Sequence, residues 1–115
     1  MFNRGLGLSG IALFTPSSGV VAQISDDAQH VTTHLEPFAY ETIVVEAGTQ
    51  VVWNVQAAPE DLNGCNNRLF INEYGIEKSL EVGENLIVFT SEKPGIYMYS
   101  CWTGIIRVVI IVKEA

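Results

Sequence analysis

Two cysteines are the residues of this chain with the most chemistry to offer. Cys65 lies in Asn63-Gly-Cys-Asn-Asn67, and Cys101 ends the run Gly95-Ile-Tyr-Met-Tyr-Ser-Cys101 and is followed by Trp102-Thr103-Gly104. Asn and Gly tolerate positive φ, so residues 63–67 read as a tight loop. Cys65 is then a loop residue and Cys101 a strand-end residue. A pair of soft thiolates favours Cu(I), and holds Zn(II) only with further ligands. The same pair also suits a disulfide, a dithiol–disulfide redox couple or two small buried hydrophobes. The spacing leaves all of these open. No C-x-x-C occurs, which excludes a zinc ribbon and a thioredoxin-type motif.

Other candidate ligands are sparse. Met98 precedes Cys101 by three residues, so along a strand it points to the opposite face. It is expected in core packing. Trp102, next to the thiol, reads either as a shield of a neighbouring metal from water or as a plug at the end of the core. Trp53 reads as core. His30 and His34 share one face of a strand and read as surface residues, with weak metal binding as the alternative. Glu73 and Glu77 follow the Cys65 loop and read as solvated side chains.

The bulk numbers bound the rest. The chain has 115 residues, 48% hydrophobic and 17% charged, with a formal charge of −7. That is the size of one ordinary domain with a real core. Negative charge disfavours nucleic acid as a partner. No uninterrupted apolar run of about 18 residues is present to form a membrane-spanning helix. There is no Ser-His-Asp arrangement, nucleophile elbow or phosphate loop, and carboxylates do not cluster, so a non-enzymatic role is expected.

The elements that must position the thiols are strands. Residues 30–35, 40–46, 49–56, 77–82, 85–90, 96–101 and 105–112 alternate or are rich in branched residues. Turns are expected at Ala47-Gly48, Gly83 and Lys93-Pro94-Gly95. This pattern indicates an all-β sandwich or barrel. A short turn near Pro59-Glu-Asp-Leu62 is the only helical hint. Residues 105–112 are apolar on both faces, apart from Arg107. That implies a central strand, or one face against another domain or a twin subunit. Residues 1–28 differ in composition and are expected to form a less ordered linker or arm ahead of a domain over 29–115. A secretory signal is the weaker reading, because glycines and serines break the apolar stretch.

Gly64-Cys-Asn-Asn67, Tyr74-Gly-Ile-Glu77, Gly83-Glu-Asn85 and Tyr99-Ser-Cys-Trp102, followed by Gly104 and Ile106-Arg107, resemble a bacterial cupredoxin-like domain. That domain occurs at the C-terminus of sulfite-exporter-like (TauE/SafE-type) membrane proteins. The resemblance runs from about Asp27 to Lys113. The upstream Arg4-Gly-Leu-Gly-Leu-Ser-Gly10 resembles the tether that follows a membrane helix in such proteins. The resemblance implies a Greek-key β-sandwich, with a metal pole built from the Cys65 loop and the loop after Cys101. Cys65 stands where a cupredoxin places its first histidine, and no histidine follows Cys101. A blue copper centre, with two imidazoles and one thiolate, is therefore not implied. Where the family commonly reads Cys-Trp-Met-Gly-Met, this chain reads Cys101-Trp-Thr-Gly-Ile105, so two thioether ligands are missing. The expectation is a copper-handling module with Cys65 and Cys101 as Cu(I) ligands, serving metal trafficking or export. Its partners would be the metal ion, a parent membrane protein and a thiol-rich metal donor. It would be membrane-associated through that parent, on a side the sequence does not fix. The alternative is a structural or interaction module with an idle or disulfide-bonded pair.

Overall fold

Strand-forming segments too short to show alternation begin the structure. The computed structural model describes residues 19–115. Ten strands follow: β1 (Val20–Val21), β2 (Gln23–Ser25), β3 (Ala28–His34), β4 (Ile43–Glu46), β5 (Gln50–Ala57), β6 (Arg68–Ile71), β7 (Ile76–Ser79), β8 (Gly83–Phe89), β9 (Gly95–Cys101) and β10 (Arg107–Lys113). A single 3₁₀ turn, Asn72–Tyr74, joins β6 to β7. The strands form two layers. One sheet has the order β1-β4-β10-β9-β6-β7 and the other β2-β3-β5-β8. The expected all-β sandwich is what the chain adopts.

Alternation decides which side chains meet between the layers. In β5, Val51, Trp53, Val55 and Ala57 face inward and are buried, while the residues between them face out. In β9, Tyr99 and Cys101 are inward and Ile96 and Met98 outward. The core is built around Trp53, Tyr99, Ile43, Leu69, Ile71 and Ile110. The Trp53 indole nitrogen donates to the Thr33 hydroxyl at 3.0 Å, and the Trp53 and Tyr99 rings meet edge to face at 4.8 Å. Buried Gln29 fastens β3 to the turn between β4 and β5: its amide donates to the carbonyls of Glu46 and Thr49, and its carbonyl accepts from the Glu46 N–H. Trp53 is thus a core residue, as expected.

The strand over residues 105–112 begins two residues late, at Arg107, and is central: β10 lies between β4, in parallel, and β9, in antiparallel. That explains apolar residues on both of its faces. Met98 departs from expectation. It is 53% exposed on the outer face of the larger sheet, not packed in the core. The strand anticipated over 77–82 is observed as Ile76–Ser79, and the turn at Gly83 instead opens β8. Of the arm expected over 1–28, residues 1–18 lie outside the described residues. From Val20 onward it contributes β1 to one sheet and β2 to the other. Among the described residues, no helix is long and apolar enough to cross a membrane.

Candidate metal centre

The Cys65 loop owes its shape to asparagines. Asn63 Oδ1 accepts from the backbone N–H groups of Cys65 and Asn66 at 2.8 and 2.9 Å. Asn66 Oδ1 accepts in return from the Asn63 N–H at 2.8 Å. These reciprocal side-chain bonds replace the turn that positive φ was expected to supply, since Gly64 is not in the left-handed region. Asn66 is fully buried. Its amide donates to the carbonyls of Glu36 and Asp61 at 3.0 and 2.8 Å, so it fastens three segments together.

The Cys101 turn is a continuation of β9 into β10. The Cys101 N–H donates to the Ile106 carbonyl, and the Gly104 N–H returns to the Cys101 carbonyl, both at 3.0 Å. Gly104 sits at φ +79°, which a residue bearing Cβ adopts only with strain. The Trp-Thr-Gly sequence is therefore what lets the chain reverse within a few residues of the thiol.

Hydrogen bonds join the two thiol-bearing segments. The Trp102 indole N–H donates to the Gly64 carbonyl at 2.8 Å, and the Trp102 backbone N–H to the Arg68 carbonyl at 3.0 Å. Trp102 therefore does not plug the core. It is half-exposed, with the Arg68 guanidinium 5.4 Å from its ring centroid. Residue 65 follows the carbonyl that accepts this bond and residue 101 precedes the indole that donates it, so both cysteines belong to one pole of the sandwich. Both are free thiols, Cys101 buried at 1% exposure and Cys65 partly exposed.

The Cys101 sulfur is set up to carry charge. Burial pushes the thiol up, but the Thr103 hydroxyl 2.9 Å away and the backbone N–H groups of Ile106, Thr103 and Gly104 outweigh it. The thiol lies below its ordinary value. Beneath it, Tyr40 stacks on Tyr99 with ring centroids 5.2 Å apart and donates to the Asn66 carbonyl at 3.1 Å. Burial, and then the nearby Cys101 charge, push the Tyr40 hydroxyl well above its ordinary value.

Other candidates stay apart from the sulfurs. His30 and His34 are exposed on β3. Four residues of strand separate them by roughly 13 Å, too far to share one metal ion. His34 reaches the end of β3, where it lines a cleft of about 230 Å³ with Asp61 and Glu84. Glu73 and Glu77 are exposed. Among the described residues, no three His, Cys, Asp or Glu side chains are grouped to hold a metal. A two-thiol site needs no such group, whereas a blue copper centre or a four-ligand zinc site does. Sequence reasoning missed Thr103 as a partner of the thiol, and missed Asn66 and Tyr40. The asparagine-rich loop was a signal for the second of these; nothing local signalled the third.

No family model and no curated relative matches the chain. Solved structures do. A copper-binding protein determined in solution in its apo form superposes with a TM-score of 0.75 at 19% identity, over 83% of this chain and 97% of that one. The metal-binding domain of the Streptococcus pneumoniae D39 Cu(I)-exporting P-type ATPase CopA, solved with Cu(I), also gives 0.75, at 21% identity over 87% and 100%. The copper protein rusticyanin gives 0.59 at 16% identity over 86% and 85%. At these identities the likeness is one of architecture. The chain has the cupredoxin-like β-sandwich fold.

Proposed function

We propose that this chain is a non-enzymatic Cu(I)-handling module in which Cys65 and Cys101 together hold one ion. The observation that carries the reading is the Trp102–Gly64 hydrogen bond, which ties both thiol-bearing segments to one pole. The environment of Cys101 supports it. A hydroxyl and backbone N–H groups favour a thiolate there, and thiolates are the form that binds metal. Cu(I) is content with two soft ligands, while Zn(II) asks for four. The solution copper-binding protein and the Cu(I)-exporter domain of the same fold add weight.

The module would work by ligand exchange, taking Cu(I) from a thiol-bearing donor and passing it on in trafficking or export. The sequence resemblance favours a setting in a bacterial membrane protein of the sulfite-exporter-like type, to which this domain would be tethered. The test is competition for Cu(I) against a colorimetric chelator under anaerobic, reducing conditions. We expect one Cu(I) per chain, weak Zn(II) binding, and loss of the Cu(I) stoichiometry in Cys65→Ser and in Cys101→Ser, with the circular dichroism spectrum retained. Unchanged binding in both variants would end the reading. The exposed Ile96 and Met98 on the outer sheet face favour a second role, as an interaction module. That role alone would leave both cysteines replaceable.

A further inference from the structure

Among the described residues, four loops close the thiol-bearing end of the sandwich: residues 35–42, 58–67, 80–82 and 102–106. Hydrogen bonds link them. Asn63 Nδ2 donates to the Pro37 carbonyl at 2.9 Å, Leu80 N–H to the Asn67 carbonyl at 2.8 Å, and Trp102 to Gly64 as described. These loops expose large apolar side chains: Phe38 at 74%, Val82 at 58%, Trp102 at 50% and Ile105 at 76%. The loops at the opposite end, residues 26–27, 47–49, 72–75 and 90–94, expose no large apolar side chain. Exposed apolar groups cost solubility, and among the loops of the described residues the large ones gather at the thiol-bearing end, which marks a surface made to be covered.

The charges say by what. The same four loops carry Glu36, Glu41, Glu60, Asp61 and Glu81 and no Lys or Arg. Two arginines directly follow these loops in the chain. Arg68 opens β6 and lies over the Trp102 ring, and Arg107 opens β10. Glu41 is engaged with the His34 N–H at 2.8 Å. The cleft between His34, Asp61 and Glu84 adds a recess with two carboxylates beside an apolar wall. Exposed apolar side chains on loops that carry carboxylates and no lysine or arginine match a partner that pairs apolar groups with lysines or arginines.

We infer that this pole is a docking face for a basic-rimmed protein that exchanges Cu(I) with Cys65 and Cys101, an inference resting on the Cu(I) reading above. In the exchange two Cu–S bonds to the partner break as two form to Cys65 and Cys101. Copper stays Cu(I), and any protons released by the receiving thiols pass to the departing thiolates.

The test uses two Cu(I)-loaded Cys-x-x-Cys peptides, one flanked by lysines and one by glutamates, with transfer to the intact chain followed by stopped flow. The lysine peptide should deliver Cu(I) at least about tenfold faster at low salt, an advantage that added salt erases. Phe38→Ser with Ile105→Ser should slow that delivery, as should Glu36→Gln, Glu60→Gln and Glu81→Gln together. Both sets should keep the chelator-measured Cu(I) affinity of the parent chain. If the apolar pair disturbs that affinity, the charge set decides alone. Equal rates from the two peptides overturn the docking face and leave the metal site standing. Failure to take Cu(I) from a small chelator overturns both. If the chain instead dimerises in sedimentation velocity, and Phe38→Ser with Ile105→Ser abolishes the dimer without altering transfer, a second copy covers the pole and the inference falls.

Discussion

Asn66 shows how one side chain organises a site without entering it. Its amide and carbonyl make bonds to Asn63, Glu36 and Asp61, all from a fully buried position. Asn66→Ala would leave part-buried backbone groups of Glu36, Asp61 and Asn63 without this partner, at a cost of about 1 to 3 kcal/mol. A urea titration should show that loss, and Cu(I) affinity should fall with it as the loop loosens. A cost within about 0.5 kcal/mol, the ordinary range for a surface change, would mean that the loop holds itself. The two cysteines were legible at this scale, because thiols are rare and their types speak for themselves. Thr103 was legible as a residue but not in its role. A hydroxyl is a poor metal ligand, and only the tight turn at Gly104 brings it against the sulfur.

At the scale of elements, alternation made β3, β5 and β9 readable, and the faces assigned to Tyr99, Cys101 and Met98 were those observed. What alternation could not say was which outward face meets something else. Met98 is outward and exposed, whereas Val44, outward on β4, is buried. β6 escaped notice because four residues, Arg68–Ile71, carry too little period to register. β1 and β2 escaped for the same reason. The central strand gives a direct comparison. Ile110→Ala should cost about 3 kcal/mol in a denaturant titration, since a buried isoleucine loses both its transfer energy and its fit. Met98→Ala, on the neighbouring strand but facing outward, should stay within about 0.5 kcal/mol. Equal losses would contradict the observed faces of β9 and β10.

For the whole molecule, the turn residues and the period of two were enough to indicate an all-β sandwich or barrel, because most strands have one apolar side to hide, and the family resemblance favoured the sandwich that is observed. The strand order was not readable, since it depends on long-range parallel pairs such as β3–β5 and β4–β10. The assembled core also sets an alkaline limit. Tyr99 is buried and donates to the Glu41 carbonyl, and burial first, then the charges of Tyr40 and Glu41, push its hydroxyl well above the ordinary value. Tyr40 is raised likewise. A raised folded-state value gives stability that is complete below the unfolded value of about 10 and is lost as pH climbs beyond it. Melting temperature should therefore drop as pH climbs above about 10, less steeply in Tyr40→Phe. A flat profile through pH 11 would show that the tyrosines are not buried as described.

The two sheets end in strands of very unequal length. Rims β1, β2 and β7 run to two, three and four residues, and β7 carries Glu77 and Lys78. Such short or charged rims offer an incoming chain few free amide and carbonyl groups to copy. β8, seven residues long with Leu86 and Val88 turned outward, is the one extended rim among the described residues. Among the described residues, cross-β growth from the folded state therefore has one extended edge to start on.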